Sequence, residues 1–391
     1  MKSLGKTLGK TVLASSIVFL ASCNKDDNTT ETPTGSEPTP KDVTVKGVLE
    51  GEAKFSSMNE AVEESNTSSL FTDANSSITL FAADNEAWSR IFTEFNVSSM
   101  TELKNKMGEE AFTDFVLYLA VEGNTQISGF TNGYYDSEAD NASGNGKLSI
   151  HITNESNSSL VFNGGDENGA TTTGSNFSAT NGAVIGINAV IQAQSNFENI
   201  EEDSEDNSYY LDLMASADAS IAAMLQDESE DNTVIVGNQE EIETVLDINL
   251  SAILDVEDLE NLLDDSQKNT LLSNFGVSLI ADLLVNLHID DLLDLGIDFS
   301  AILDEMDEDD NTELLSSIMF DGSLTADYLM SNDGNQITAK SGVSYTIDSS
   351  ANDGTVTLVS EFGGSIVIDT NKSAQGNNGA VYQTQGVQSA Q

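Results

Sequence analysis

The chain has little cysteine, histidine, proline or positive charge. Its one cysteine, Cys23, excludes an intramolecular disulfide framework and a thiolate zinc cluster. Three prolines among 391 residues exclude a collagen-like or proline-rich chain. Only 14 basic residues accompany 66 acidic ones, and the net charge of −52 repels nucleic acid and anionic membrane surfaces. We therefore expect no nucleic-acid partner, whereas cations or a basic partner could be attracted.

The residue patterns that usually indicate catalysis are also missing. The two histidines, His151 and His288, lie far apart in the sequence, and we expect neither a Ser-His-Asp triad nor a histidine zinc site. The chain contains no G-x-x-x-x-G-K-[ST] motif and no strand-linked G-x-G-x-x-G motif. Acidic pairs are too abundant for any two of them to indicate a glycosidase. The sequence therefore predicts a protein that is not an enzyme.

The first 22 residues are typical of a signal peptide. Three lysines precede an apolar run, VLASSIVFLAS, that is too short to span a bilayer. Leu20-Ala21-Ser22-Cys23 resembles the lipobox of bacterial lipoproteins, in which the leader is removed and the cysteine receives lipid. This resemblance implies lipidation of Cys23 and attachment to a membrane. The alternative is a plain secretory leader with a chance cysteine.

Residues 23–45 are predicted to form a disordered tether behind the lipid. The acids and lysine of Asn24-Lys25-Asp26-Asp27 resemble the signal that Bacteroidota lipoproteins use to reach the outer face of the outer membrane. The following residues are rich in Thr, Pro, Ser and Glu, a composition that stays extended and unfolded. We expect a lipid anchor in the cell outer membrane with surface exposure, and the periplasmic leaflet is the alternative.

The stretch TLFAADNEAW, residues 79–88, predicts a buried strand, a tight corner and an amphipathic helix. Thr79–Ala82 form the apolar strand, and Asp84 is suited to cap a helix. Trp88 begins an apolar stripe at helical spacing and is expected in the core. The stretch resembles the first signature of the fasciclin domain, with Ala83 in place of the usual proline and Trp88 in place of the usual phenylalanine.

A second signature closes the same region. In ATNGAVIGINAVI, residues 179–191, Asn181-Gly182 is a strong hairpin-turn dipeptide. The segment resembles the second fasciclin signature, with Asn188 where the family often has aspartate. Leu119 stands where the family usually has histidine. The resemblance implies an α+β domain at residues 46–194, a wedge of two small β-sheets with packed helices.

The same frame recurs in a more divergent second copy. Residues 233–242, TVIVGNQEEI, align with 79–88, and Asn378-Gly379 repeats Asn181-Gly182. We therefore predict a second fasciclin-like domain at residues 208–391, and an acidic linker at 195–207.

The second copy carries a Leu- and Asp-rich helical insert near residues 249–296. The sequence INLSAILD at 248–255 recurs as IDFSAILD at 297–304, which indicates a tandem duplication. The leucine spacing is typical of amphipathic helices. These could be extra helices packed on the flank of the domain or a docking surface for a partner helix.

The fasciclin resemblance implies adhesion rather than catalysis. We expect a surface-anchored lipoprotein for cell adhesion or for interaction with extracellular matrix or biofilm. Its partners would be matrix or cell-surface macromolecules, either protein or glycan. The alternatives are a glycan-binding accessory lipoprotein and a structural protein of the cell envelope. Tyr134-Tyr135 is the plausible exposed aromatic pair for stacking on sugar rings.

Calcium is the ion that the abundant carboxylates favour. Asp307, Asp309 and Asn311 occupy positions 1, 3 and 5 of an EF-hand-like register. Thr312 at position 6 and Ile318 at position 12 replace the required glycine and glutamate, which excludes a proper EF-hand loop.

We predict no cofactor beyond weak, nonspecific binding of divalent cations, for which Asp203, Glu205 and Asn207 offer a second loose cluster. Titration calorimetry with calcium at millimolar concentrations should then detect binding heat. A titration without heat in this range would rule out the interaction.

Overall fold

Two successive segments of the chain each wrap a β-sheet with helices. The computed structural model describes residues 43–388, except for 142–145, 157, 166–168, 203–206, 228, 284–286, 288–290, 293, 298–301, 303–305 and 352–353. We refer to residues 43–193 as the first repeat and to residues 194–388 as the second. The described residues belong to one compact unit, residues 38–391.

The first repeat alternates short helices with one group of strands. Its helices are Val45–Gly51 (α1), Ser56–Glu64 (α2), Ser68–Thr72 (α3), Asn85–Glu94 (α4), Met100–Met107 (α5) and Glu109–Leu117 (α6), with 3₁₀ turns at Ala53–Phe55, Ile127–Gly129 and Asn163–Gly165. Its strands are Ile78–Ala83 (β1), Ala120–Glu122 (β2), Gly133–Asp140 (β3), Lys147–Ser156 (β4), Ser159–Phe162 (β5), Ala170–Ala179 (β6) and Gly182–Ile187 (β7).

The second repeat follows the same order with more helices in its middle. Its helices are Asn196–Glu202 (α7), Ser208–Ser216 (α8), Ala219–Gln226 (α9), Gln239–Ile253 (α10), Val256–Leu262 (α11), Asp265–Phe275 (α12), Glu308–Ser316 (α13) and Ala326–Ser331 (α14), with a 3₁₀ turn at Ile280–Asp282. Its strands are Asn232–Val236 (β8), Met319–Asp321 (β9), Gln336–Thr338 (β10), Ser344–Asp348 (β11), Thr355–Ser360 (β12), Ser365–Gly376 (β13) and Gly379–Gln388 (β14).

The strands of the first repeat form a closed barrel in which one pair of neighbouring strands is joined only weakly. β1 runs parallel to β7 and antiparallel to β2, and the described strands β1 to β7 form a closed barrel. β2 joins β3 through a single residue pair, Val121 and Ser137. The barrel therefore consists of two small β-sheets that meet along shared edge strands, in agreement with the predicted wedge.

The second repeat has the same topology. Its strand order is β10-β11-β12-β13-β14-β8-β9, and β8 runs parallel to β14. An isolated bridge between Phe320 and Ala339 nearly closes this sheet as well. The α+β fold class is confirmed in both repeats.

The strand, corner and helix predicted at 79–88 are present in both copies. Asp84 caps α4 by accepting a hydrogen bond from the backbone N–H of Ala87, and Asn238 caps α10 in the same way. Trp88 and Ile242 follow at equivalent places and are both buried. The prediction that Trp88 is a core residue is therefore confirmed.

A buried asparagine holds each repeat together. Asn181 Oδ1 accepts the backbone N–H of Val45 at 2.8 Å, and its Nδ2 donates to the carbonyl oxygens of Phe71 and Asp73. One side chain thus joins the start of α1, the end of α3 and the turn before β7. In the second repeat Asn378 occupies the same place and is fully buried.

The glycine after each asparagine allows the parallel strand pair to form. Gly182 has φ 153° and Gly379 has φ 130°, in the region that disfavours side chains. A Cβ at Gly182 would lie 1.8 Å from the carbonyl oxygen of Ile78, and one at Gly379 would lie 1.8 Å from that of Asn232. The Asn-Gly dipeptide therefore marks the point where the last strand enters beside the first.

The expectation of a linker at 195–207 needs a correction. Residues Asn196–Glu202 form helix α7, and Asn196, Asn199 and Ile200 are buried. The acidic side chain of Glu202 itself contacts His151 of the first repeat, so the segment belongs to the packed second repeat. The domain boundaries 46–194 and 208–391 stay predictions.

The leucines of the predicted insert face the core of the second repeat. Leu259, Leu263 and Leu271 on helices α11 and α12 are almost completely buried, whereas Leu279 is 63% exposed. This placement favours extra packed helices over a docking surface. The second copy of the duplicated sequence, 297–304, lies largely outside the described residues, as do the leader, Cys23 and the tether up to residue 42. Among the described helices, none is long and apolar enough to cross a membrane.

Replacing Asn181 with alanine should lower the free energy of unfolding by at least about 3 kcal/mol, because it leaves several buried backbone groups without a partner. Asn274→Ala, at an exposed position of α12, is the control and should change it by less than about 0.5 kcal/mol. Chemical denaturation of both variants measures the difference. Equal stabilities would contradict the role assigned to Asn181.

Candidate interaction sites

The two repeats touch along a seam formed by β3 and β4 of the first and by α7 and β13 of the second. The backbone N–H of Gln375 donates to Ser149 Oγ at 3.0 Å, and both residues are buried. Tyr134 Oη donates to the carbonyl oxygen of Asn199 at 3.1 Å. These buried contacts hold the repeats against each other.

His151 lies in this seam. Its Nδ1 is 3.0 Å from Glu202 Oε1, and the two side chains are 15% and 13% exposed. Its ring also packs on Tyr134, with ring centroids 4.9 Å apart. His151 therefore joins the repeats, and its described partners do not form a catalytic triad. His288 lies outside the described residues.

A cleft of about 450 Å³ opens between the repeats beside the seam. Asp136 and Lys147 from the first repeat and Asp327 from the second line it, together with hydroxyl and amide side chains. Lys147 forms an ion pair with Asp140 at 2.7 Å. Neither Asp136 nor Asp327 forms an ion pair with a described residue. The cleft thus presents two carboxylates, one from each repeat, to a cationic group.

The electrostatics of Asp136 reflect this arrangement. The walls of the cleft restrict the hydration of its carboxyl group, and the charge of Asp327 adds to the effect, so the pKa of Asp136 is raised. The charge of Lys147 opposes the rise. A cation bound in the cleft would favour the ionised form of Asp136.

The prediction of an exposed tyrosine pair is wrong. Tyr134 and Tyr135 are half-buried, and the hydroxyl of Tyr134 is engaged by Asn199. The hydroxyl of Tyr135 bonds to Thr131, and its ring meets Phe130 edge-on at 5.2 Å. Both tyrosines line the cleft between the repeats, so they are not an exposed pair on the outer surface.

An open acidic groove is lined mainly by residues of the first repeat, with Asn377 of the second repeat at its edge. It has a volume of about 1310 Å³, and four carboxylates line it: Glu109, Glu110, Asp114 and Asp140. Burial, Asp140 and Glu110 raise the pKa of Asp114 against the opposing effects of a backbone hydrogen bond and Lys147. This groove and the cleft give the protein two concave surfaces of negative charge.

The EF-hand-like register proves to be a helix start. Asp307 caps α13 by accepting the backbone N–H groups of Asp309 and Asp310, and Asn311 is buried in the helix. Desolvation and the neighbouring acids raise the pKa of Asp310 to about 6. The spacing that resembled calcium ligands is therefore explained by a capping box.

The second loose cluster is also a structural feature where it can be described. Asp203 and Glu205 lie outside the described residues, whereas Asn207 is buried and bonds to Ile200 and Gln383. Within the described ranges, no group of three His, Cys, Asp or Glu residues is arranged to hold a metal ion. Weak divalent-cation binding stays a prediction.

Comparison with known proteins places one part of the chain in a family. Residues 53–193 match the fasciclin domain family. The matched span lies within the first repeat and includes both of its signatures, the seam strands and the acidic groove. Leu119, which stands where that family usually has histidine, is a buried core residue of the matched segment.

No curated protein sequence matches this chain. A solved FAS1 domain pair from the insect cell adhesion molecule Fasciclin I aligns with a TM-score of 0.44 and 12% identity, over 86% of this chain and 96% of the other. At that score the likeness supports no conclusion about this protein.

The raised pKa of Asp136 predicts a pH-dependent effect of Asp136→Asn. When the pKa of a carboxyl is higher in the folded protein than in the unfolded chain, the group favours folding at pH values below the unfolded pKa. This stabilisation is lost as the pH rises through the pKa of the folded state. The variant should therefore be more stable than the parent at pH 7, by less than about 1 kcal/mol, and the gain should vanish below about pH 3.5. Thermal melting across this pH range measures it.

Asp348→Asn is the matched control, because hydrogen bonds from Ser350 lower the pKa of Asp348. Because the pKa of Asp348 is lowered rather than raised, its ionised form favours folding, and the Asp348→Asn variant should be less stable than the parent at neutral pH. A gain for Asp348→Asn, or no gain for Asp136→Asn, would contradict the assigned electrostatics.

Proposed function

We propose that this protein is a non-enzymatic, lipid-anchored adhesion protein of the cell outer membrane that is exposed at the surface. It binds macromolecules of the matrix or of other cell surfaces. One observation carries the proposal: residues 53–193 match the fasciclin domain family, whose domains are generally linked to cell adhesion.

The N-terminal sequence supports the proposed location. In this proposal Cys23 follows a lipobox-like leader and receives the lipid, and the residues between it and the start of the first repeat form the tether, which ends before helix α1 begins at the buried Val45. A tether of this length lets both repeats reach beyond the membrane surface. The net negative charge keeps the repeats away from anionic lipid headgroups.

The described surface supports a partner with basic groups. Asp136 and Asp327 face the cleft between the repeats without an ion-pair partner among the described residues. The acidic groove adds the carboxylates of Glu110 and Asp114, whereas those of Glu109 and Asp140 already pair with lysines of the first repeat. Charge complementarity of this kind increases the rate of association and selects against acidic partners.

The two alternatives have less support. A glycan-binding role would draw on exposed aromatic rings, and the hydroxyl groups of Tyr134 and Tyr135 are engaged within the protein. A purely structural role in the envelope would need neither concave surface.

An attachment assay tests the proposal. Cells that lack the gene should attach less to matrix-coated surfaces or to other cells, and the wild-type gene should restore attachment. The Cys23→Ser gene should not restore it, because its product would lack the lipid anchor.

The variant Asp136→Asn combined with Asp327→Asn, expressed with the anchor, tests whether the cleft takes part. The matched variant Asp348→Asn alters an exposed acid away from the cleft and should restore attachment fully. Unchanged attachment of the deletion strain across several substrata would count against adhesion itself. Full restoration by the double variant would count against the cleft alone.

A further inference from the structure

Equivalent hydrogen bonds show which residues of the two repeats correspond to each other, and the first such pair differs in side-chain polarity. In the first repeat the N–H of Val45 donates to Asn181 Oδ1, and in the second the N–H of Asn196 donates to Asn378 Oδ1 at 2.7 Å. Val45 and Asn196 are thus equivalent and begin the equivalent helices α1 and α7. A buried valine of the first repeat is a buried asparagine in the second.

The residue two places earlier is an exposed valine in the first repeat, with Val43 40% exposed, and a buried amide in the second. The carbonyl oxygen of Val43 accepts the N–H of Thr180, and that of Gln194 accepts the N–H of Asn377, both at 2.9 Å. Val43 and Gln194 are therefore equivalent. Gln194 is only 6% exposed, so its amide lies inside the second repeat.

Two further differences complete the set. Three residues into each helix, Val48 is fully buried and its equivalent Asn199 is 2% exposed. At the end of the penultimate strand, Ala179 pairs with Gly182, and Gly376 pairs with Gly379. Three valines and an alanine of the first repeat thus correspond to three amides and a glycine in the second.

These amides surround the glycine. A Cβ at Gly376 would lie 2.8 Å from the carbonyl oxygen of Gln194, 3.0 Å from Asn199 Nδ2 and 3.1 Å from Asn196 Oδ1. The methyl group that Ala179 contributes in the first repeat has no counterpart here. Polar atoms therefore converge where the first repeat packs hydrocarbon.

Four of the buried polar atoms have no hydrogen-bond partner among the described residues. They are Gln194 Oε1, Asn196 Oδ1, Asn199 Oδ1 and Asn199 Nδ2. Each such atom would destabilise the fold by about 1–3 kcal/mol if it stayed without a partner. Buried polar groups in folded proteins are almost always satisfied by protein or by ordered water.

We propose that Gln194, Asn196 and Asn199 form a binding site for ordered water in the second repeat. Water fits because one molecule can accept a hydrogen bond from Asn199 Nδ2 and donate to two of the three amide oxygens, which makes the roughly three hydrogen bonds typical of a buried water molecule. A metal cation would face the N–H₂ group of Asn199, and an anion would face three amide oxygens. None of the three side chains carries a charge to offset the desolvation of an ion.

The location gives this water a role in joining the repeats. Asn199 lies on α7, and its carbonyl oxygen accepts the hydroxyl of Tyr134 from the first repeat. Gln375, next to Gly376, donates its N–H to Ser149 of the first repeat. The water therefore lies between the two elements of the second repeat that carry the seam.

A high-resolution crystal structure of the full chain tests the proposal. Density for an ordered water is expected within hydrogen-bond distance of Asn199 Nδ2 and of at least one of the amide oxygens. Amides that bond instead to protein groups, with no ordered density, would overturn it. An anomalous signal at the site after soaking in rubidium salt would identify a cation and would also overturn it.

A pair of exchanged residues tests it in solution. Asn199→Val places the residue of the first repeat in the second, and Val48→Asn makes the reverse change. If water satisfies the site, Asn199→Val lowers the melting temperature, because the water loses its contacts with the Asn199 side chain and is held less firmly against the oxygens of the other amides. An unchanged or higher melting temperature would mean that Asn199 had no partner to lose, which overturns the proposal.

Val48→Asn controls for packing. It buries an amide where the first repeat provides no polar site, and it should lower the melting temperature by several degrees. A melting temperature equal to that of the parent would show that polar partners exist there too, which would contradict the proposed difference between the repeats.

Discussion

The parallel pairing of the first and last strand of each repeat is the constraint on which the rest of the structure depends. The strand ends come together because one buried asparagine bonds to the start of the first helix and to the loop before the first strand, and because the next residue is a glycine without a Cβ. Asn181 and Asn378 make equivalent bonds, although the surrounding sequences have diverged. Side chains elsewhere could change as long as this junction remained.

Much of the fold could be predicted because its signals are local. An apolar strand, a capping side chain and an Asn-Gly turn act within ten residues, so both copies were recognisable. Helix α7 was missed because its acidic face hid the buried positions Asn196 and Ile200. The prediction that Tyr134 and Tyr135 are exposed failed because their partners are distant in sequence or visible only in the fold. Tyr134 donates its hydroxyl to the carbonyl oxygen of Asn199, and the ring of Tyr135 packs on Phe130. The site formed by Gln194, Asn196 and Asn199 has no recognisable sequence pattern, because it exists only where α7 meets β13.

The same structure separates the roles of the charged residues. Many acids begin helices, as Asp84 and Asp307 do, and their carboxylates are used by backbone N–H groups. Asp136 and Asp327 are different because they face a cleft between the repeats and form no ion pair with a described residue. The cleft that carries these two carboxylates therefore arises from the way the two repeats are joined, and the seam that joins them lies beside the polar core of the second repeat.

Both repeats are built on the same junction, in which Asn181 or Asn378 binds the start of the first helix of its repeat. Hydrogen exchange at the backbone amides of Val45 and Asn196 tests it most directly, because each amide donates to the junction asparagine of its repeat. Both amides should exchange as slowly as those of the central strands, only when the repeat unfolds. Rapid exchange at Asn196 with slow exchange at Val45 would contradict it.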